Sequence, residues 1–132
     1  MIEKTIENWH RLLENKDVAG LDSLLHDDAT FHSPVVHTPQ QGKQMTTLYL
    51  AAAFNVLASD KFHYVREVLG ERDAILEFQT EINGITINGV DMISCDENGL
   101  ITDFKVMVRP LKAINLLHQM MAEMLGKISK AS

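Results

Sequence analysis

The sequence predicts an α+β domain in which a cone-shaped, curved antiparallel sheet packs on N-terminal helices and carries an added C-terminal helix. Three observations support this prediction. Helical spacing of apolar residues dominates the first part of the chain, alternation with a period of two dominates residues 62–108, and helical spacing returns after Pro110. Helices and strands that are segregated along the chain are typical of α+β folds. The length of 132 residues fits one domain.

The helical part of the chain is predicted to form three helices. Residues 2–15 repeat apolar side chains at helical spacing, with charged side chains on the opposite side. Residues 18–25 are predicted to form a short second helix, which Asp17 can cap at its amino end. Residues 43–58 carry a broader apolar face and form the third helix. We expect these helices to cover one face of the sheet.

Residues 27–42, DDATFHSPVVHTPQQG, connect the second helix to the third. A strand is predicted over residues 29–36, and Pro34 indicates that it lies at a sheet edge or leaves the ladder there, because proline has no N–H. Alternation places His32 on one side of the strand and three residues on the other side: Phe31, Ser33 and Val35. We expect this segment to form one wall of a pocket.

Four strands are predicted in the second half of the chain, over residues 62–69, 74–82, 85–95 and 100–108. Tight turns join them, and Asn83-Gly84 is a strong signal for a two-residue hairpin. Asp91 lies on the inward side of the third of these strands, together with Ile87, Ile93 and Cys95. A final helix is predicted to begin at Pro110, with apolar side chains at helical spacing over residues 111–128.

Composition argues against several classes of function. The net charge is −6, and the 12 lysines and arginines are scattered along the chain, so we expect no nucleic-acid partner. No apolar run reaches roughly 18 residues, and residues 1–15 carry charges throughout, so we expect no membrane span, no secretory signal and a cytoplasmic location. The glycine motifs that bind phosphates and dinucleotides are missing, so no cofactor is expected.

Residues that could bind a metal ion are few and poorly placed. Cys95 is the single cysteine, which excludes a multi-cysteine metal site, and we expect a buried, inert thiol. His32 and His37 are close in the chain, but their spacing on a strand puts them on opposite faces, and no third ligand is evident. No metal is therefore predicted. His32 or His63 could act as a general acid or base if it turned inward.

Two segments give the chain a family resemblance: LLHDDATFHSPVVHTPQQG at residues 24–42 and GVDMISCDENGLITDFKV at residues 89–106. Together with the order of helices and strands, they resemble the nuclear-transport-factor-2-like superfamily, in particular its SnoaL-like branch and the related ketosteroid isomerases. The MVRPLKAINLL stretch is similar to the added C-terminal helix of many small SnoaL-like proteins. The resemblance implies one SnoaL-like domain over residues 1–132, and proteins of this superfamily often form homodimers through the sheet face.

The resemblance does not assign an activity, because this fold supports isomerases, dehydratases, epoxide hydrolases, cyclases and non-catalytic binding proteins. Ketosteroid isomerases place a general-base Asp, a proton-donating Tyr and a protonated Asp at positions that correspond here to Ser33, Trp9 and Asp91. A serine hydroxyl is a poor base without an activating neighbour, and an indole N–H does not exchange its proton usefully. Steroid isomerisation by that mechanism is therefore not expected.

Asp91 is the most informative residue of the sequence, because alternation aims its carboxyl group at an apolar interior. It is predicted to be a hydrogen-bond partner of a ligand or a catalytic acid or base. The alternative is a structural residue that bonds to the Trp9 N–H or to a helix end. The predicted ligand pocket comprises Trp9, Phe31, Ser33, Val35, Tyr49, Asp91 and Phe104.

The sequence leaves three functional hypotheses open. The preferred hypothesis is a dimeric protein that binds a hydrophobic small molecule in a mainly apolar pocket, with Asp91 as its polar group. The second is a cofactor-independent isomerase, lyase or hydrolase, in which Asp91 is the acid or base and Ser33, Trp9 or Tyr49 orients a hydrophobic substrate. The third is an association module without a ligand, whose cavity is filled by its own side chains.

Overall fold

The computed structural model describes the backbone of residues 2–131 and the side chains of residues 2–127. Within these residues the chain forms four α-helices: α1 (Ile2–Glu14), α2 (Leu21–Leu24), α3 (Lys43–Leu57) and α4 (Leu111–Ala131). A short 3₁₀ turn at Val18–Gly20 precedes α2. The strands of the described chain are β1 (Leu25–His32), β2 (Gln40–Gln41), β3 (His63–Leu69), β4 (Asp73–Ile82), β5 (Ile85–Cys95) and β6 (Ile101–Arg109).

All of these strands belong to one curved, unclosed sheet in the order β2-β1-β6-β5-β4-β3. Neighbouring strands are antiparallel, except that β1 and β6 run parallel. Parallel neighbours need a long connection, and here the chain passes through α3 and four further strands between β1 and β6. The predicted α+β class with an added C-terminal helix is confirmed, and the sheet is mixed rather than wholly antiparallel.

The first strand begins at Leu25, which is earlier than residue 29 where it was predicted. Leu25 is buried, has extended backbone angles and pairs with Ile101 of β6, so the preceding helix ends after a single turn. The second helix is therefore shorter than the predicted residues 18–25. At its other end β1 stops before Pro34, which has no N–H to offer to the ladder.

The hairpins of the second half form where the sequence predicts them. β5 has the predicted bounds, and the turn before it has positive φ at both central residues, 52° at Asn83 and 77° at Gly84, as a two-residue turn of type I′ requires. Alternate side chains of β4 and β5 are buried, and these include Leu76, Phe78, Ile87, Asp91 and Ile93. This inward side of the sheet faces the helices.

The hydrophobic core lies between the sheet and the helices, and it includes Phe31, Phe78 and Phe104 from three different strands. Helix α4 contributes Leu117 to this core, so the added helix packs as part of the domain. Ile128, which was predicted on the apolar face of this helix, lies outside the described side chains. None of the described helices has the combination of length and hydropathy that crossing a membrane requires.

Candidate functional site

A cavity of about 390 Å³ lies between the sheet and the helices α1, α3 and α4. This volume is within the range of small-molecule sites. Its walls are mainly apolar, and they come from both the helical and the strand-rich parts of the chain. Prominent side chains of the wall are Trp9, Phe31, Leu50, Phe54, Phe78, Phe104 and Met121.

Five of the seven residues predicted to bind a ligand line this cavity: Trp9, Phe31, Val35, Asp91 and Phe104. The structure places Ser33 and Tyr49 outside the lining. Ser33 Oγ accepts a hydrogen bond of 3.1 Å from the Val35 N–H, within the turn that follows β1. Tyr49 packs behind the wall, with its ring centroid 5.9 Å from that of Phe31. The position that corresponds to the general base of ketosteroid isomerases is therefore not on the cavity surface.

Asp91 reaches the cavity because of its place in β5. Its partners on the adjacent strands are Leu76 of β4 and Val106 of β6, which are both buried. Asp91 itself is only 6% exposed. A carboxyl group in such surroundings loses most of its hydration, which disfavours its charged form. Asp91 is thus a buried carboxyl group on the wall of a mainly apolar cavity.

Two hydrogen bonds in series connect Asp91 to helix α1. The Tyr64 hydroxyl donates to Asp91 Oδ2 over 2.7 Å, and Trp9 Nε1 donates to the hydroxyl oxygen of Tyr64 over 2.9 Å. All three side chains line the cavity. One interpretation of the sequence was a structural hydrogen bond from the Trp9 N–H to Asp91. In the structure this N–H bonds to Tyr64, which lies between Trp9 and Asp91.

Tyr64 is the site residue that sequence reasoning missed. It lies on β3 opposite Phe78 of β4, and the register of the two strands shifts just after it, before Arg66. The extra residue at this bulge, Val65, is exposed, whereas Tyr64 lines the cavity. A signal was present in the sequence, because Phe62 and Tyr64 stand at a spacing of two, and their rings do pack together at 5.3 Å.

Burial and hydrogen bonding have opposite effects on the acidity of Asp91. Burial is the larger effect and raises the pKa of the Asp91 carboxyl to about 7, while the hydrogen bond from Tyr64 lowers it. Burial also raises the pKa of the Tyr64 hydroxyl well above its ordinary value, and the nearby charge of Asp91 adds to this rise. Near neutral pH, Asp91 therefore exchanges between its two forms and can donate or accept a proton.

Several polar side chains also line the cavity: His10, Glu14, Lys16, Ser59 and His63. His10 hydrogen-bonds to Glu67, and its ring lies 5.2 Å from the ring of Tyr64. His32 bonds instead to Asp103 over 2.8 Å and does not line the cavity. The described part of the chain contains no group of three or more His, Cys, Asp or Glu side chains that could hold a metal ion. Cys95 is a buried free thiol.

Comparison with solved structures found relatives over nearly the whole chain. A steroid delta-isomerase from Pseudomonas aeruginosa is 33% identical, with a TM-score of 0.84, and the match covers 98% of this chain and 92% of that chain. A protein from Silicibacter pomeroyi, uncharacterised and with a cystatin-like fold, is 30% identical, with a TM-score of 0.83 and coverage of 90% of this chain and 83% of that chain.

A more distant relative shares the fold alone. This NTF2-like protein of unknown function from Mesorhizobium loti is 14% identical, with a TM-score of 0.71, and the match covers 83% of this chain and 91% of that chain. No curated protein sequence matches the chain. By sequence, the SnoaL-like domain family matches residues 6–104. The chain therefore belongs to the SnoaL-like domain family.

Proposed function

We propose that this protein binds a small hydrophobic molecule that carries one polar oxygen, in the cavity between the sheet and the helices. The observation that carries the proposal is the position of Asp91, a buried carboxyl group on the wall of a mainly apolar cavity of about 390 Å³. Ligand sites combine apolar walls with a few polar groups that fix the orientation of the ligand. The walls would thus supply affinity, and Asp91 would orient the ligand oxygen.

The cost of burying Asp91 supports a functional role. A carboxyl group that is moved from water to an apolar interior destabilises the fold unless its oxygens are hydrogen-bonded. Tyr64 bonds to Oδ2, and no described residue makes a side-chain hydrogen bond to Oδ1. An oxygen left free on a cavity wall is available to a ligand. Strongly perturbed carboxyl groups in clefts are enriched at functional sites for this reason.

The relative from Pseudomonas aeruginosa suggests a class of ligand. That protein is a steroid delta-isomerase and shares 33% of its sequence with this chain. We therefore propose a compact hydrophobic ring compound with a carbonyl or hydroxyl oxygen. We do not propose isomerisation by the mechanism of ketosteroid isomerases, because Ser33 occupies the position of their general base and lies outside the cavity lining.

A second candidate function is a cofactor-independent isomerase, lyase or hydrolase that acts on the same class of molecule. The observation that favours it is the pKa of Asp91, which burial raises to about 7. An acid or base is most effective when its pKa lies near the working pH. Asp91→Asn separates the two functions, because it should abolish turnover by an enzyme but only alter the affinity of a binding protein. Turnover that survives this change would exclude Asp91 as the catalytic group.

The association-module hypothesis has less support. It requires that the protein's own side chains fill the interior between the sheet and the helices, whereas a cavity of about 390 Å³ stays open there, beside the Tyr64 side chain that connects α1 to Asp91. Interiors of proteins are normally packed closely, so an open volume of this size needs a reason. A ligand supplies that reason.

We also propose that the protein forms a homodimer through the outer face of its sheet, the side opposite Phe78. Val68 and Met107 lie on this face and are 55% and 51% exposed. Arg66 and Glu77 form an ion pair of 3.3 Å on the same face. A face that combines exposed apolar side chains with charges of both signs can pair with a second copy of itself about a two-fold axis.

Trp9 offers a direct test of ligand binding, because it is the only tryptophan and it lines the cavity. We expect a saturable change in Trp9 fluorescence when the protein is titrated with a steroid ketone or with adamantanone, a compact apolar ketone. If neither probe produces a saturable change in fluorescence, the proposed class of ligand is contradicted.

A pair of variants on α3 tests whether the ligand occupies this cavity. Ala53 lines the cavity, so Ala53→Phe should fill it and abolish the fluorescence change. Asn55 is exposed about half a turn further along the helix, so Asn55→Phe adds the same ring outside the cavity and should leave binding intact. Binding that survives Ala53→Phe would place the ligand elsewhere.

A further inference from the structure

The hydrogen bonds around the Tyr64 hydroxyl run in one direction, from Trp9 towards Asp91. An indole N–H is a donor and cannot accept, so the hydroxyl oxygen of Tyr64 must accept the bond of 2.9 Å from Trp9 Nε1. The single hydroxyl proton of Tyr64 is then free for one acceptor, and Asp91 Oδ2 lies 2.7 Å away. The chain of donors therefore runs from Trp9 through Tyr64 to Asp91.

This direction decides where the proton of a neutral Asp91 resides. Oδ2 already accepts the bond from Tyr64, and the carbonyl oxygen of a carboxyl group is its better acceptor. The acidic proton of Asp91 is thus left to Oδ1. No described residue makes a side-chain hydrogen bond to Oδ1, and Asp91 lines the cavity. The proton of Asp91 is consequently available to whatever occupies the cavity.

We propose that Tyr64 is the positioning residue of this site. Its oxygen accepts a hydrogen bond from Trp9, and its own proton is donated to Asp91 Oδ2. Oδ1 of Asp91 is then the atom that contacts the ligand. Tyr64 acts through Asp91. It does not donate to the ligand, because its one proton is already used.

The rings around Tyr64 and Trp9 support this assignment by restricting their movement. The Tyr64 ring packs edge-on against Phe62 at 5.3 Å and against His10 at 5.2 Å. The Trp9 ring lies 5.0 Å from that of Phe104. A donor that is held in place by packing keeps its hydrogen bond aimed without a further loss of side-chain entropy. The hydrogen-bonded chain from Trp9 through Tyr64 to Asp91 is therefore held in a fixed position in the wall of the cavity.

This assignment has a consequence for ligand choice, which rests on the proposed ligand-binding function. A neutral Asp91 offers an O–H to a carbonyl oxygen, whereas an ionised Asp91 accepts from a hydroxyl group. The protein should therefore favour a ketone over the matching alcohol at low pH and reverse this preference as Asp91 ionises. The other titratable or charged groups of the wall are His10, Glu14, Lys16 and His63, and Glu67 bonds to His10.

The first arm of the test needs no ligand. We would follow the carbon signal of the Asp91 carboxyl by NMR against pH in the wild type, Tyr64→Phe, Trp9→Phe and Tyr49→Phe. The bond from Tyr64 stabilises the carboxylate, so Tyr64→Phe should raise the pKa of Asp91. Trp9→Phe should raise the pKa of Asp91 by a smaller amount. Tyr64 still donates a hydrogen bond to Asp91 in this variant, but it is a weaker donor without the bond from Trp9.

Tyr49→Phe is the matched control for this arm, because Tyr49 is the other tyrosine of the chain and does not line the cavity. It should leave the pKa of Asp91 unchanged. A pKa of Asp91 that does not move in Tyr64→Phe, or that moves equally in Tyr49→Phe, would overturn the assignment. Circular dichroism of each variant shows whether it is folded, and the next arm uses the wild type alone.

The second arm compares adamantanone with adamantanol, which share one apolar skeleton. In the wild type, the ratio of their affinities should change by about threefold or more across the titration of Asp91, as expected for one neutral hydrogen bond. A ratio that is constant with pH would overturn the proton placement. If neither compound binds, the proposal of a compact ring compound as the ligand fails. The NMR titration of Asp91 still decides whether Tyr64 positions that carboxyl group.

Discussion

Tyr64 and Asp91 lie on strands that are not neighbours, yet the Tyr64 hydroxyl reaches across β4 and donates a hydrogen bond of 2.7 Å to Asp91 Oδ2. The strand between them contributes Phe78, which is opposite Tyr64 on one side and Gly89 on the other. The pair thus depends on three strands at once. It forms a hydrogen-bonded polar pair in a cavity whose walls are mainly apolar.

The stability of the fold should depend on pH through Asp91. Its pKa of about 7 in the folded protein lies above the ordinary 3.8, so between these values the folded state binds more protons than the unfolded state. Stability should therefore fall as pH rises through this interval, by up to about 4 kcal/mol for Asp91. Asp91→Asn removes this penalty, so the variant should be the more stable protein at about pH 8.

Urea unfolding of the wild type and Asp91→Asn at about pH 5 and about pH 8 measures this difference. Asp60→Asn is a suitable control, because it makes the same chemical change at an exposed position. Parallel pH profiles for the wild type and Asp91→Asn would show that Asp91 is not a buried group of raised pKa.

Gly89→Ala should destabilise the protein. Gly89 faces inward on β5, and the ring of Phe78 occupies the space where a Cβ atom would lie. Overpacking of this kind typically costs about 1–3 kcal/mol. Gly126→Ala is the matched control, because none of the described residues outside the helix backbone approaches a Cβ atom at that position in α4, and alanine favours a helix. Equal effects of the two changes on thermal unfolding would contradict the packing of Phe78 against β5.

Ser33→Ala should leave ligand binding and the pKa of Asp91 unchanged. Ser33 lies outside the cavity lining, and its hydroxyl oxygen accepts a bond of 3.1 Å from the Val35 N–H. The loss of this bond should cost about 1 kcal/mol of stability or less. Fluorescence titration of Trp9 with the ligand measures the first expectation. A large loss of affinity in Ser33→Ala would show that Ser33 takes part in ligand binding and would contradict this prediction.

The proposed dimer predicts a clear effect of charge on the outer face of the sheet. Met107→Glu should reduce the mass measured by light scattering to that of a monomer, because it buries a charge at an apolar contact. Leu111→Glu is the control, since Leu111 is 72% exposed and belongs to α4, a helix that packs into the core on the inward side of the sheet. A monomeric wild type at micromolar concentration, or a dimer that tolerates Met107→Glu, would contradict the proposal.

Local patterns determined most of the secondary structure. The alternation of β5 and the Asn83-Gly84 turn predicted the bounds of that strand correctly, because both depend on neighbouring residues. The start of β1 could not be predicted in the same way. Leu25 fits the apolar side of a helix, and it becomes a strand residue because Ile101, which is distant in the chain, pairs with it.

In the candidate site, too, some features follow from local sequence patterns and others from contacts between distant segments. The sequence by itself determined that Asp91 shares a strand face with buried apolar residues, since side chains alternate regardless of what surrounds the strand. Only the tertiary structure decided that Ser33 lies outside the cavity and that Tyr64 bonds to Asp91. Both outcomes depend on how the chain leaves β1 and on the bulge in β3, and therefore on contacts between segments that are far apart in the sequence.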